Sequence, residues 1–165
     1  MQDITQNFIA KSRSLLREGY QMKIERCLSE LSDEEIWWRT HEEGNSVGNL
    51  ILHICGNARQ WIVSAIGGAE SHRVRQAEFD ARGGVSREEL LDQLRGTLAE
   101  VDEVLSRLGE AQMLERRRIQ DYDVTALEAI YHVVEHFAMH AGQIILLTKM
   151  LKRTDLKFYA HLSRK

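Results

Sequence analysis

Two histidines lie four residues apart in the apolar stretch VVEHFAMHAGQIILL, residues 133–147. In a helix, residues i and i+4 lie on one face a turn apart, so His136 and His140 can bind the same ion. With His136 at 0° on a helical wheel, His140 lies at about +40° and Gln143 at about −20°, beside an apolar stripe. The pattern indicates two imidazoles at the edge of a core-facing surface.

The stretch SVGNLILHICGNARQWIV, residues 46–63, repeats this pattern around His53. With His53 at 0°, Asn57 lies at about +40° and Gln60 at about −20°, again beside an apolar stripe. A lone histidine in such a position is more often a hydrogen-bonded core residue, and an HxxxH pair alone is compatible with either interpretation. A third histidine in equivalent surroundings favours a metal site that joins two helices.

The three histidines suit a divalent cation. Neutral imidazole binds zinc, nickel, copper or iron, and helical bundles often form metal sites from side chains on facing helices. Three protein nitrogens leave a coordination position open, as in catalytic zinc sites. An ion with neutral ligands keeps its positive charge and can lower the pKa of a bound water or thiol. The predicted ligands are His53, His136 and His140.

Several neighbours of these histidines are candidates to line the pocket or to orient the imidazoles. They are Asn49, Asn57, Gln60, Trp61, His132 and Gln143. His132 lies at about −40° from His136, farther from the apolar stripe, and is not expected to be a ligand. Cys55 lies about 160° from His53 and is predicted to be a small core residue. The other histidines, in predicted loops and the tail, are expected to be solvated: His41, His72 and His161.

Glycine and capping sequences divide the chain, which contains no proline, into four long predicted helices. These span residues 4–31, from the cap at Asn45 or Ser46 to Gly67-Gly68, residues 87–108, and from the TALE box to Leu151. SDEE predicts a short helical turn through Trp37 and Trp38. Residues 69–84 predict an irregular crossover, and residues 115–123 allow a short extended segment. The sequence therefore predicts an all-α, four-helix bundle with a long crossover between helices two and three.

The composition predicts a single domain over residues 1–165 and excludes several classes of function. A net charge of −3 provides no general attraction to nucleic acid or anionic membranes. The basic triplet at residues 116–118 has acidic neighbours and is expected to be a solvated loop. The two cysteines suggest no disulfide framework, and no signal peptide or membrane span is evident. A cytoplasmic location is expected.

Three segments together resemble the DinB-like (DinB/YfiT) superfamily of proposed metalloenzymes, in a branch of unknown function. They are NSVGNLILHICGNARQWI, HVVEHFAMHAGQIILLTKML and DLKFYAHL, and the likeness covers nearly the whole chain. Its most specific part is a histidine in helix two followed far downstream by HxxxH and Gln-Ile. The resemblance implies a four-helix bundle, a nickel or zinc site at His53, His136 and His140, and a homodimer. Characterised relatives in other branches use low-molecular-weight thiols such as bacillithiol, mycothiol or glutathione, so the resemblance suggests such a thiol as a second cofactor.

Two functions follow as hypotheses. The first is a metal-dependent enzyme, a thiol S-transferase or a related hydrolase, in which the ion activates a thiol or water for attack on a small-molecule substrate. The alternative is a non-catalytic, metal-binding dimeric bundle of a stress response. Polar residues around the open coordination position would favour the enzyme, but the amides near the histidines serve equally well to orient ligands, so both hypotheses stay open.

Overall fold

The computed structural model describes residues 3–160, and this part of the chain forms four long helical segments. The first comprises α1 (Ile4–Ser14), a π-helical stretch (Leu15–Gln21) and α2 (Met22–Glu30); the second, α4 (Val47–Ala58) and a π-helical stretch (Arg59–Ser64). The third is α6 (Arg87–Ser106) and the fourth is α7 (Ala126–Lys152). Shorter elements connect them: α3 (Asp33–Ile36), α5 (Arg75–Asp80), a 3-10 turn (Glu110–Gln112), β1 (Arg116–Ile119) and β2 (Tyr122–Thr125).

The helices begin at the predicted caps. Ser46, Ser86 and Thr125 each accept a hydrogen bond from the backbone N–H three residues later, and the side chain at that later position returns the contact to the cap. These reciprocal bonds satisfy N–H groups that a helix leaves unpaired at its start. Of the two caps considered for the second helix, Ser46 is the one used.

The first and second long helices each pack against both the third and the fourth. One apolar core runs between them, with Ile54, Leu94 and Phe137 among its fully buried side chains. At the surface, the Arg13–Asp102 pair, with a closest N–O distance of 2.7 Å, links the first helix to the third. The arrangement confirms the all-α bundle, with the long crossover between the second and third long helices.

The connections contain more regular structure than the sequence predicted. Residues 116–118 lie in β1, which pairs antiparallel with β2, so the extended segment that the sequence allowed is one strand of a hairpin and not a loop, with Arg116 and Arg118 exposed. The crossover includes the short helix α5, where the sequence predicted irregular chain. Both segments are short and only partly buried, so they lack the hydrophobic periodicity that identifies longer elements.

Asn49 and Arg39 hold the crossover against the start of α4. The Asn49 amide donates to the carbonyl oxygens of Glu78 and Ala81, at 2.8 and 3.0 Å, and its own oxygen accepts from Arg39 at 2.8 Å. Arg39 also donates to the carbonyl of Ala81 at 2.6 Å. The carbonyls at the end of α5 are therefore bound to side chains from the body of the bundle, which fixes the position of α5.

In the tail, Leu156 is buried and Phe158 packs on the core, whereas Tyr159 is exposed. His161 and Leu162 lie outside the described residues. Trp37 also makes a contact within the chain, because its indole N–H donates to the Val85 carbonyl at 2.9 Å. Across residues 3–160, no helix combines the length and apolar character needed to cross a membrane.

We expect Asn49→Ala to lower the free energy of unfolding by about 2 kcal/mol, because it leaves buried hydrogen-bonding groups without partners. Urea denaturation of the metal-free protein measures the change. Asn45→Ala is the matched control, since Asn45 is exposed. Equal unfolding free energies for the two variants would show that Asn49 does not anchor the crossover.

Candidate metal centre

The three predicted ligands meet at one point between the second long helix and α7. The Nε2 atom of His136 lies 3.1 Å from Nε2 of His53 and 3.2 Å from Nε2 of His140. One potential ligand atom from each of the three residues lies within 4.8 Å of the others. Within the described residues, this is the one group of three or more histidine, cysteine or acidic side chains placed to hold an ion.

The partners of the outer ring nitrogens define the protonation of two of these histidines. His53 Nδ1 lies 2.9 Å from a carboxylate oxygen of Glu78, and His140 Nδ1 lies 2.7 Å from the amide oxygen of Gln143. Because an ionised carboxylate oxygen and an amide oxygen only accept hydrogen bonds, both Nδ1 atoms must carry the proton. In the neutral form of each ring, the Nε2 atoms of His53 and His140 then present bare lone pairs to the centre of the cluster.

His136 cannot satisfy both of these lone pairs. A neutral imidazole carries one proton, so His136 Nε2 can donate to one neighbour at most, while its buried Nδ1 has no hydrogen-bond partner. Burial, reinforced by the possible positive charges of His140 and His53, lowers the pKa of His136 to about 3. Burial also lowers the pKa of His140. These two imidazoles are thus kept neutral, the form that binds metals.

This donor set fits a divalent cation. Two nitrogens bound to one zinc ion at ~2.0–2.1 Å in tetrahedral geometry are ~3.3–3.4 Å apart, close to the spacings of His136 to its two neighbours. A cation would also resolve the conflict between the convergent lone pairs. His53 and His140 are buried, whereas His136 is partly exposed, so the cluster is accessible from one side.

Glu78 and Arg73 lie on the outer, Nδ1 side of the His53 ring, and their role was not predicted from the sequence. Arg73 donates to both carboxylate oxygens of Glu78, at 2.7 and 2.8 Å, while Glu78 accepts from His53. Burial raises the pKa of Glu78, but hydrogen bonds from Arg73 and His53 outweigh it and hold that pKa below its usual value. The ionised carboxylate fixes the ring of His53, as carboxylates often do behind metal-binding histidines.

Gly56 makes room for this pair on the surface of α4. A Cβ atom at this position would overlap the Glu78 carboxylate and press on Arg73. Gly56 lies three residues after His53, on the same side of the helix. In retrospect, a glycine in that place within an apolar helix was the one local sign that another segment approaches His53 closely.

The other candidates take different positions around the cluster. Asn57 donates to His132 at 3.2 Å, and the His132 ring stacks on Trp61 with 3.9 Å between centroids. His132 is thus beside the three convergent histidines and not among them. Gln60 accepts from Arg73 at 2.8 Å, so it supports the Glu78 pair rather than an imidazole.

Asn49 does not reach the cluster. Its effect on the cluster is indirect, because its side chain holds the backbone of α5, which carries Glu78. His41 and His72 are exposed, as the sequence predicted. Cys55 is fully buried, and burial raises the pKa of its thiol to about 12. Neither these histidines nor Cys55 belongs to the site.

A pocket of about 420 Å³ opens onto the cluster. His53 and His136 form part of its wall, Asn57, Trp61 and His132 another part, and the β-hairpin contributes Gln120, Tyr122 and Val124. Trp61 and Tyr122 lie with their ring centroids 6.1 Å apart. The accessible side of the histidine cluster therefore faces a partly aromatic space large enough for a small organic molecule.

Residues 3–163 match the model of a family described as a protein of unknown function (DUF1572). The chain belongs to this family. Comparison with curated proteins gives no significant match in sequence. The family match thus covers nearly the entire chain, but the description of the family names no activity.

Several solved structures resemble this chain in fold. A conserved protein from Enterococcus faecalis matches with a TM-score of 0.72 at 15% identity, covering 93% of this chain and 100% of its own. A DinB-like protein from Bacillus subtilis gives 0.68 at 17%, covering 90% and 97%. A His-to-Ala mutant of the mycothiol-dependent maleylpyruvate isomerase gives 0.64 at 19%, covering 89% and 70%. These likenesses show that the chain shares its fold with proteins described as DinB-like, among others.

We expect Glu78→Gln to weaken zinc binding about 10- to 100-fold, because the neutral amide no longer orients and polarises His53 as a carboxylate does. Competition with a chelating dye measures the affinity, and circular dichroism verifies folding at the assay temperature. Glu78→Asp provides a second variant if the first does not fold.

Glu70→Gln is the matched control for this measurement. Glu70 lies in the same crossover but is exposed, and its ion-pair contact is to the exposed His72. Zinc affinities that are equal in wild type, Glu70→Gln and Glu78→Gln would contradict a role for Glu78 behind His53.

Proposed function

We propose that this protein is a divalent-metal-dependent enzyme, with zinc or nickel held by His53, His136 and His140, that activates a thiol or water for attack on a small electrophile. The reaction class is S-transfer from a low-molecular-weight thiol or a related hydrolysis. The observation that carries the proposal is the set of convergent Nε2 atoms at the wall of an open pocket.

The chemistry supplied by a cation bound there is that of a Lewis acid, which lowers the pKa of a coordinated thiol or water toward neutrality. The protein's own residues prepare the site for it. Glu78 and Gln143 hold the protons of His53 and His140 on Nδ1, which keeps the inner nitrogens free. The pocket leaves room beside His136 for a reactant, and no fourth acidic, cysteine or histidine ligand from the described residues closes the site.

A thiol nucleophile would have to come from a separate small molecule. Cys27 and Cys55 are both buried, and burial raises the pKa of each thiol. Thiolates are the reactive form, so neither cysteine suits attack on a substrate at neutral pH. Two free thiols also suit a reducing compartment, and we therefore propose a cytoplasmic location. The structural neighbour that is mycothiol-dependent supports thiol chemistry in this fold.

The rival hypothesis is a metal-binding bundle without catalytic activity. Asn57, Gln60 and Gln143 are engaged with His132, Arg73 and His140, so these amides do not by themselves form a substrate site. The accessible pocket favours the enzyme, because a cation needed only for rigidity would be better served by a closed coordination sphere.

We expect His136→Ala to abolish stoichiometric binding of zinc or nickel and to abolish metal-dependent conjugation of thiols to a model electrophile. Mass spectrometry of metals gives the first result, and assays with a panel of bacillithiol, mycothiol and glutathione give the second. His132→Ala is the matched control for metal content, because His132 lies one turn earlier on α7 but outside the three-histidine cluster. Metal content that is unchanged in His136→Ala would refute the site; metal binding without thiol conjugation or hydrolysis would favour the rival.

We also propose that the protein forms a homodimer through the exposed face of α7. Its large exposed apolar side chains include Tyr131, Met139, Leu146 and Met150.

Charge on the same face supports a particular pairing. Glu135 and Lys149 are equally distant in sequence from the exposed Gly142, where an added Cβ would meet no neighbour. Antiparallel packing of two α7 helices about Gly142 would therefore place Glu135 of each copy opposite Lys149 of the other, as two-fold symmetry requires.

We expect Glu135→Lys and Lys149→Glu each to shift the protein toward the monomer of 19.1 kDa, because each creates like-charge pairs in this arrangement. The double exchange should restore the dimer. Light scattering across a concentration series measures the mass. A monomeric wild type would refute the dimer, and a dimer unaffected by either single exchange would refute this interface.

A further inference from the structure

The charged side chains that line the pocket beside the histidine cluster differ in whether the protein provides them with partners. Three charged side chains other than histidine line it: Arg73, Arg75 and Glu128. Arg73 is paired with Glu78, and the Glu128 carboxylate accepts from the backbone N–H and hydroxyl of Thr125, at 2.7 and 2.8 Å. Arg75 forms no ion pair with any carboxylate of the described residues.

Arg75 is nevertheless held in a defined place. Its guanidinium carbon lies 4.8 Å from the centre of the Phe79 ring, which in turn lies 4.7 Å from the centre of the His53 ring. A single phenyl ring thus separates this cation from one of the predicted metal ligands. Stacking on an aromatic face leaves the edge of a guanidinium free to donate hydrogen bonds.

The facing side of the pocket comes from the β-hairpin and the second long helix. There the Trp61 and Tyr122 rings supply flat apolar surface. The pocket therefore combines an aromatic wall, the guanidinium of Arg75, which has no carboxylate partner among the described residues, and the accessible side of the histidine cluster. Planar bidentate donors of this kind match carboxylates in particular.

We propose that the molecule bound in this pocket is a small organic acid whose carboxylate is bound by Arg75 while its reactive end lies toward His136. This inference rests on the proposed function for the identity of the reactive end, but the carboxylate contact itself does not require a bound metal. The carboxylate could belong to the thiol or to the electrophile, since both would enter the same space.

Two matched pairs of probes test the contact on the full chain. N-acetylcysteine and its primary amide carry a thiol, whereas N-acetylalanine and its primary amide do not. Within each pair, the acid and the amide differ mainly in charge. Calorimetric or NMR titration of the metal-free protein measures binding without any contribution from coordination or turnover.

We expect the metal-free wild type to bind at least one of the two acids about tenfold more tightly than its amide, as a charge-assisted contact provides. Arg75→Gln should reduce this preference to about one, and Arg75→Lys should retain part of it. Arg59→Gln is the matched control and should keep the full preference, because Arg59 lies outside this pocket and pairs with Glu100.

The two probe pairs also identify the source of the carboxylate. A preference confined to the cysteine pair supports a carboxylate on the thiol, and a preference in both pairs supports a general acid-binding subsite. Equal binding of acids and amides by wild type, or an acid preference that survives Arg75→Gln, would overturn the proposal. If the preference depends on Arg75 but the metal-loaded protein conjugates no thiol and hydrolyses no substrate, the subsite stands and the proposed function fails.

Discussion

The structure of the site depends on one constraint: three imidazole nitrogens must point their lone pairs at a common centre inside a helical bundle. Bare lone pairs repel one another, and no arrangement of protons on three neutral imidazoles satisfies the contacts of His136 with His53 and His140 together. The surrounding packing must hold the rings in place. Fully buried side chains such as Ile54 and Phe137, each one residue after a histidine of the cluster, anchor the two helices on which the rings lie.

The Arg73–Glu78 pair shows how the crossover takes part in this constraint. A buried ion pair contributes little net stability, because desolvation offsets most of the attraction between its charges. Its value here is positional, since it presents an ionised carboxylate to the outer nitrogen of His53. That geometry needs α5 to be fixed by Asn49 and Arg39 and needs Gly56 to leave space on α4. Residues from three separate stretches of the chain thus act together on one ring.

The β-hairpin gives the site its second property, a pocket in front of the histidine cluster. Without β2, His132 and Trp61 would face a broad open surface on the side of the bundle. Tyr122 and Val124 instead cover this side and leave a pocket that leads to His136. The bundle resembles those of solved structures that are only 15–19% identical in sequence, so the fold is the shared feature.

The sequence by itself determined the helices and the three histidines. Capping boxes at Ser46, Ser86 and Thr125 and the apolar stripes of the helices are local signals, each readable within a few turns. The spacing of His136 and His140, and the matching surroundings of His53, follow from helical geometry alone.

Only the tertiary structure decided which residues surround that cluster. Glu78, Arg73 and Arg75 lie in a short crossover without periodicity, and their roles depend on contacts between residues far apart in sequence. The wheel placed Asn57 and Gln60 beside His53, yet it could not show that Asn57 binds His132 and that Gln60 binds Arg73. A helical wheel gives the direction of a side chain from its own helix, whereas its partner depends on how separate elements pack.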